Sequence, residues 1–389
     1  MTIQDLGAQF ESVGAVVAGV LSGTSADGID VAITRIRSRD GVIEAPETLA
    51  FSIEEYPASV RTRVRALLDG SAVSLGEIAR LNRDLGRAFG AAARAVADRH
   101  GIVLDLVASH GQTVWHHDGT DASGAATLQL GDGDFVAEAA GCAVASDFRQ
   151  RDIAAGGEGA PVSALADPIL FAAVPKPCAI LNLGGMANVT WIGARAGEVL
   201  AFDTGPANAL LDGLARRFLG AACDRDGATA ARGRVQRALV DEILGHPFFE
   251  KRPPKSTGRD TFGENFVEDF VERARRHGVS SAEPADLFAC ATAVVAEAVA
   301  RALRAFVPEA VRELLVAGGG VHNQALMRAL GAATGVRVVS SDAYRIDPDA
   351  REALVFAVLG AATVLEVPLS HAGATGALTG RVLGKISVG

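Results

Sequence analysis

At 389 residues the chain exceeds the roughly 250 to 300 over which a single hydrophobic core keeps growing, so two domains are expected. Apolar residues make up 49% and charged residues 21%, which excludes the disordered and collagen-like classes. A net charge of −9, from 37 basic and 46 acidic side chains with no basic stripe, excludes a nucleic-acid partner.

The four cysteines, Cys142, Cys178, Cys223 and Cys290, are widely separated, with no C-x-x-C pair and no histidine at zinc-ligand spacing. Free thiols in a reducing compartment are expected. The opening MTIQDLGAQFESVG carries acidic residues and no basic start before an apolar core, unlike a secretion signal. Charges interrupt the longest apolar stretches within the about 18 residues that a membrane span needs. The expectation is a cytoplasmic protein that binds no membrane.

Val16, Val17, Val20 and Leu21 form an apolar run, and Ile29, Val31 and Ile33 alternate with Asp30, Ala32 and Thr34, so a strand pair is predicted from Val16 to Ile36. Ser22-Gly23-Thr24-Ser25-Ala26-Asp27-Gly28 joins the two strands. Its two glycines permit positive φ and close approach of the backbone to a ligand, and its hydroxyls and amides offer donors to an anion. Gly23 to Asp30, Ile29 included, therefore reads as a phosphate cradle. Asp27 and Asp30 add hard oxygen ligands for a hydrated Mg²⁺. The same residues also spell an ordinary Gly/Ser/Asp hairpin.

Gly41 to Ile53 is predicted as a third strand, and Tyr56 to Asp69 and Leu75 to His100 as helices, the second closed by Gly101. Ile102 to Ala108 is a predicted strand that delivers Ser109-His110-Gly111-Gln112-Thr113 at its carboxyl end, the edge where ligands lie in open α/β sheets. A lone histidine there is often structural, but Gln112 and Thr113 follow it with the neutral hydrogen-bonding groups a sugar site wants. His116 and His117 read as surface residues. Leu128 to Ser146 reads as a strand, a Gly-Asp-Gly turn, a helix ending near Gly141 and a short strand. Asp147-Phe148-Arg149-Gln150-Arg151-Asp152 then abuts Gly156-Gly157-Glu158-Gly159-Ala160-Pro161. A charge cluster against a glycine loop predicts a functional loop rather than a helix surface.

Pro175 to Pro177 marks a predicted domain crossing, giving one domain over 1–174 and another over 175–348. Directly after it the opening pattern recurs: Cys178 to Leu183 as a strand, Gly184-Gly185 as a tight turn, Ala187 to Ile192 as a returning strand. A second glycine-turn hairpin some 160 residues after the first is what a duplicated fold would show. Val199 to Phe202 is a third strand ending in Asp203-Thr204-Gly205-Pro206-Ala207-Asn208, with a helix over Ala209 to Phe218. A carboxylate at a strand's end beside a helix N-terminus can stay ionised as a general base; the lesser alternative is that Asp203 caps that helix.

Lys255-Ser256-Thr257-Gly258-Arg259 lacks the Gly-x4-Gly that a P-loop needs before its lysine, and its role does not follow from its residues. Helices are predicted at Phe266 to His277 and at Pro284 to Phe306, the latter capped by Ser281. Glu313 to Ala317 is a predicted strand entering Gly318-Gly319-Gly320, which would admit a flat nucleoside against the backbone or make a plain strand-to-helix turn. A helix from Asn323, a strand over Val336 to Ser340 and a helix over about 349–366, with Glu352 near its start, complete the reading.

The strings SGTSxDG, SHGQT, DFRxRD, FDTGPxN, PKSTGR and GGG, in this order over nearly the full length, resemble the anhydro-N-acetylmuramic acid kinases of the sugar kinase, Hsp70 and actin superfamily. The family pattern has Leu at Ala26, Gln at Glu158 and Gly at Ala207. The resemblance implies an α/β two-domain actin-like, ribonuclease H-like ATPase fold with an interdomain active-site cleft, its last long helix returning to the first domain. It implies ATP and Mg²⁺ as cofactors. ATP would meet Gly23, Thr24, Ser25, Ala26, Asp27, Gly28, Ile29, Asp30, Gly184, Gly185, Gly318, Gly319 and Gly320. The sugar would meet His110, Gln112, Thr113, Arg151, whose guanidinium suits a lactyl carboxylate, and Asn208. Asp203 would be the catalytic base, the activity that of peptidoglycan recycling, and the assembly a homodimer. A kinase for another sugar or a carboxylate, or a catalytically silent ATP-binding switch, are the alternatives.

Overall fold

The computed structural model describes residues 2–23, 26–119, 123–195, 197–280 and 283–389, and every structural statement below is made of these. Two units emerge, Met1–Ala172 with Ala350–Gly389, and Ala173–Asp349.

The first unit opens with α1 (Ile3–Glu11), started by a capping box between Thr2 and Asp5. β1 (Ala15–Ser22) and β2 (Ile29–Ile36) pair antiparallel from Ala15 opposite Ile36 to Leu21 opposite Asp30. The predicted third strand is split: β3 (Ser38–Arg39) and β4 (Val42–Ile43) make a small ribbon around Asp40 and Gly41, both at positive φ, and β5 (Glu47–Glu54) then joins β2. α2 (Ala58–Leu68) and α3 (Leu75–Arg99) follow, α3 burying Leu81, Leu85, Phe89 and Val96 along one stripe.

β6 (Leu106–Asp118) is far longer than expected. It runs beside β1 as far as Gln112 and continues in antiparallel pairing with β7 (Ala125–Leu130), so the His110 motif lies inside the strand rather than at its end. α4 (Gly133–Ala140) ends at left-handed Gly141, and β8 (Ala143–Ser146) pairs parallel with β6. Short helices α5 (Gln150–Ala154) and α6 (Ser163–Leu170) close this stretch.

In the second unit β9 (Cys178–Leu183), β10 (Met186–Ile192) and β11 (Val199–Pro206) form an antiparallel meander. β11 extends past Asp203, which therefore sits within the strand. α7 (Asn208–Phe218), α8 (Arg237–Ile243), α9 (Arg259–Phe262), α10 (Glu264–Arg276) and α11 (Ala285–Phe306) come next. The expected cap Ser281 lies outside the described residues; Pro284 stands at the start of α11 without a side-chain cap. β12 (Glu313–Ala317) lies parallel to β9, α12 (Gln324–Thr334) is capped by Asn323, and β13 (Arg337–Ser340) lies parallel to β12.

The chain then returns to the first unit as α13 (Arg351–Val364), α14 (Ala372–Thr375) and β14 (Lys385–Ser387). α13 lies so close on the sheet that a Cβ on Gly19 would stand 1.8 Å from the Ala353 carbonyl oxygen. The first sheet has the order β14-β8-β6-β1-β2-β5, with β7 on β6, and the second β11-β10-β9-β12-β13. Stripped of β7 and β14, both run 3-2-1-4-5, with strands one to three antiparallel and four and five parallel to the first. That is the ribonuclease H-like sheet twice over, the actin-like fold. No described helix is long and apolar enough to cross a membrane.

Candidate functional site

In the first unit, the loop after β1 is fixed from below. Gln112 is fully buried; its Nε2 donates to the Gly23 carbonyl at 3.2 Å and to Thr113 O at 3.2 Å, while its Oε1 accepts the Tyr56 hydroxyl at 3.0 Å. Gln112, expected on the sugar, holds Gly23 from within the fold. Burial pushes the Tyr56 phenol above its ordinary value. Thr113 accepts from Gln129 across the β6–β7 pair.

Ala26 is buried in the core at φ 50°, and Ile29 is buried too. A Cβ on Gly28 would strike Ile53 at 2.5 Å, so this glycine answers to packing on β5. Asp27 is exposed and ion-paired to Arg65 at 3.1 Å, while Asp30 is half-buried at the start of β2. Thr24 and Ser25 lie outside the described residues. Among the described residues no group of three or more His, Cys, Asp or Glu could hold a metal ion. Mg²⁺ carried on nucleotide phosphates needs only one or two carboxylates.

The pairing register between β1 and β6 steps from Val20–Ser109 to Leu21–Gly111, leaving His110 as the bulged residue. Gly111 makes the bulge possible: its φ is 80°, and a Cβ there would meet the Leu130 carbonyl oxygen at 2.6 Å. The His110 ring is 7% exposed, stacked on Phe356 of α13 at 4.4 Å, and receives Arg149 Nε–H on Nε2 at 3.0 Å. Arg149 also donates to Gly159 O at 2.7 Å. Burial lowers the Arg149 guanidinium to about 10 against the pull of Glu352 and Asp152, and burial with the Arg149 charge holds His110 well below its ordinary value.

Arg151, the arginine singled out from sequence, is exposed on α5, whereas Arg149 faces the histidine. The two have the same charge in the same motif, and only the turn into α5 separates their directions. The charge cluster also includes a buried strut. Asp152 accepts Gly159 N–H at 2.9 Å and the hydroxyls of Ser370 and Thr375, tying the glycine loop to the chain's end. Glu158 donates its backbone N–H to Thr375 O.

In the second unit, the Gly184–Gly185 turn and the start of α7 are welded together. The Gly184 carbonyl accepts Asn208 N–H at 3.0 Å, the Gly185 carbonyl accepts Ala207 N–H at 2.9 Å, and Asn208 Nδ2 donates to Leu183 O at 2.9 Å. Asn208 is thus a strut between hairpin and helix. Ala207 has φ −133°, so alanine there carries no left-handed strain; Gly205, at φ 141°, takes that conformation instead. The triple glycine converges on the same hairpin: a Cβ on Gly318 would meet Asn182 Oδ1 at 2.8 Å, and one on Gly320 would meet Leu183 Cβ at 2.4 Å. Gly185 and Gly319 are exposed beside these contacts.

Asp203 does not cap α7. Its carboxylate Oδ2 accepts Thr257 N–H at 2.8 Å, and its own N–H donates to Lys255 O at 3.0 Å, so the PKSTGR loop lies along β11 and holds the carboxylate. Lys255 anchors that loop. Its side chain is 3% exposed, and the ammonium donates to Phe248 O at 3.3 Å and stands 4.6, 4.9 and 5.9 Å from the ring centres of Phe248, Phe306 and Phe202. Burial lowers it to about 8 although Asp203 pulls the other way. Sequence spacing holds no sign of this anchor, because its aromatic cage comes from three separate segments. A recess of about 210 Å³ is lined by Ala231, Ala289, Thr292 and Ala293 together with Ala325 and Arg328 of α12.

A duplicated ribonuclease H-like sheet with a glycine turn at the first hairpin of each copy defines the class, the actin-like proteins that include sugar kinases. The chain belongs to the anhydro-N-acetylmuramic acid kinase family, whose family model matches residues 15–389. It is similar to the anhydro-N-acetylmuramic acid kinase of Streptomyces coelicolor, 41% identical over 96% of this chain and 94% of that one. The protein of the same description from Gloeobacter violaceus is 40% identical over 88% and 90%. Among solved structures, component A of Acidaminococcus fermentans (R)-2-hydroxyglutaryl-CoA dehydratase aligns over 90% of this chain and 99% of that one at 14% identity, with a TM-score of 0.44.

Proposed function

We propose that the chain is an ATP-dependent kinase that opens 1,6-anhydro-N-acetylmuramic acid with water and phosphorylates it, giving ADP and N-acetylmuramic acid 6-phosphate. The observation that carries the reading is the Asp203 carboxylate, nearly buried, held by the Thr257 N–H and not consumed as a helix cap, in a chain of this family. A carboxylate that accepts a backbone N–H is favoured in its charged form, as a general base must be. Asp203 takes a proton from the water whose oxygen attacks the anomeric carbon. The C1–O6 bond breaks, O6 bonds to the γ-phosphorus, and the bond from that phosphorus to the ADP oxygen breaks.

In this reading Gly23 to Asp30 and the Gly184–Gly185 turn face the phosphates through backbone N–H groups. Gly318 to Gly320 meet the nucleoside, and the adenine enters the alanine-lined recess against the first turns of α12, where Arg328 can lie against its face. His110 and Thr113 serve the sugar, with Arg151 exposed for its carboxylate. Mg²⁺ arriving with the nucleotide would supply charge neutralisation, held by Asp27, which shares its charge with Arg65, and by Asp30. A cytoplasmic homodimer belongs to the same reading.

The test is ADP release with Mg²⁺ in the presence of 1,6-anhydro-N-acetylmuramic acid, N-acetylmuramic acid, N-acetylglucosamine or acetate. Only the anhydro sugar is expected to drive turnover, and its product should carry a 6-phosphate and a free anomeric hydroxyl. Turnover with another acceptor, or slow hydrolysis indifferent to all four, overturns the reading. Asp203→Asn should lower kcat by roughly 10²- to 10⁴-fold while ATP still binds.

A further inference from the structure

His110 carries one ring nitrogen whose partner is fixed and one with none. Nε2 receives a hydrogen bond from Arg149 Nε at 3.0 Å. A guanidinium has donors only, so Nε2 must present its lone pair and cannot bear the proton. In a neutral ring the proton then lies on Nδ1. Nδ1 is buried and makes no hydrogen bond of acceptable distance and angle among the described residues, although the Gly111 backbone lies close enough to favour a proton on the ring. An unpaired buried donor costs roughly 1 to 3 kcal/mol, so a fold that keeps one in a strained setting keeps it for a partner it does not itself contain.

The setting is built for that purpose. The bulge turns His110 out of the β1–β6 ladder, and the left-handed glycine behind it admits no other residue cheaply. Phe356 stacks on the ring and stops it swinging, and Arg149 is itself steadied by Gly159 O. The charged groups around this assembly are Arg149, with Asp152 on its own segment and Glu352 on α13 acting on Arg149.

We infer that His110 is a neutral, fixed-tautomer hydrogen-bond donor, giving Nδ1–H to an uncharged oxygen of the carbohydrate ligand, and that Arg149 is the positioning residue that sets the tautomer. His110 is therefore not a proton shuttle. The inference rests on the proposed sugar site only for the identity of the ligand; the tautomer belongs to the free protein. It also explains why the first arginine of DFRQRD faces inward while the second does not.

Nitrogen-15 NMR of histidine-labelled protein tests the tautomer without any activity. The His110 resonances should show Nδ1 protonated and Nε2 bare, unchanged from pH 8 to pH 5; an Nε2–H tautomer, or a titration near 6.5, overturns the inference. The ligand arm uses 1,6-anhydro-N-acetylmuramic acid. His110→Asn, whose amide N–H can reach the Nδ1 position, should keep the sugar KM within about threefold of wild type. His110→Gln, whose amide reaches the Nε2 position, should raise it at least tenfold, with the ATP KM unmoved in both. Equal losses in Asn and Gln variants refute the donor role. Arg149→Met removes the donor that fixes Nε2, so an Nε2–H tautomer of His110 should become detectable while the melting transition stays cooperative. Should no sugar turn over at all, the proposed function fails while the NMR result still decides the tautomer.

Discussion

The two copies of the sheet treat their first hairpin in opposite ways. In the first, β1 and β2 are joined by a six-residue loop whose support comes from below, through Gln112 on the Gly23 carbonyl and Tyr56 on Gln112. In the second, β9 and β10 are joined by two glycines whose carbonyls are taken up by the first N–H groups of α7. Both copies keep the 3-2-1-4-5 order, but one has a longer loop in its first hairpin and the other ties its turn to the strand and helix that flank Asp203. A loop supported by side chains can be re-shaped by single substitutions. A turn held by its own backbone can be disturbed only through what it carries.

The copies also differ in what completes them, and breaking that element gives the largest expected effect on stability. The first copy is completed by α13, borrowed from beyond the second unit and fastened by Arg351 to Asp167 of α6 through bonds of 2.5 and 3.1 Å, both residues fully buried. Arg351→Met leaves the Asp167 carboxylate buried without its partner, which costs about 3 to 5 kcal/mol. Thermal unfolding should show this loss, whereas the double variant Arg351→Met, Asp167→Leu should recover much of it. A single-variant loss below about 1 kcal/mol would mean that packing of α13, rather than the ion pair, completes the unit.

A pair of glycines sharpens the contrast at intermediate scale. Gly19 on β1 lets α13 approach, and a Cβ there would overlap the Ala353 carbonyl. Gly19→Ala should therefore destabilise by about 1 to 3 kcal/mol or more. A Cβ placed on Gly185 would have nothing within 4 Å, so Gly185→Ala should change stability by less than about 0.5 kcal/mol. If Gly185 faces phosphate, ATP affinity should nonetheless fall, and calorimetric titration reads that directly. Unchanged affinity would remove Gly185 from the phosphate site.

What can be read from sequence follows from how local each feature is. The hairpins, the long helices and the strand-GGG-helix unit are set by periodicity and glycine within a dozen residues, and they stand near where the pattern puts them. The run of β6 beyond Ala108 is illegible because it depends on pairing with β7, further along the chain, and alternation in GQTVWHHD is weak. Asp203 reads as the end of a strand because Gly205 and Pro206 look like a turn. The ladder with Ala187 and Met186 carries the strand through them. The choice between Arg149 and Arg151, and the cage around Lys255, depend on tertiary direction, which no spacing encodes.

The smallest effect compares the two buried bases, His110 in the first unit and Lys255 in the second, each held below its ordinary value by burial. For His110 the unfolded chain takes up a proton as pH falls through 6.5 while the folded ring stays neutral, so stability is lost below that pH. For Lys255 the folded ammonium gives up its proton near 8 and the unfolded one near 10.5; between these values the unfolded state holds more protons, so stability rises with pH. Denaturation followed from about pH 5 to 10.5 should thus show an acid limb removed by His110→Asn and an alkaline rise removed by Lys255→Met. Methionine fills the same aromatic cage without charge, so Lys255→Met should also gain stability at neutral pH. If instead it loses stability there, the contacts of the ammonium with Phe248, Phe306 and Phe202 outweigh its desolvation, and the PKSTGR loop is held to β11 by its lysine charge rather than in spite of it.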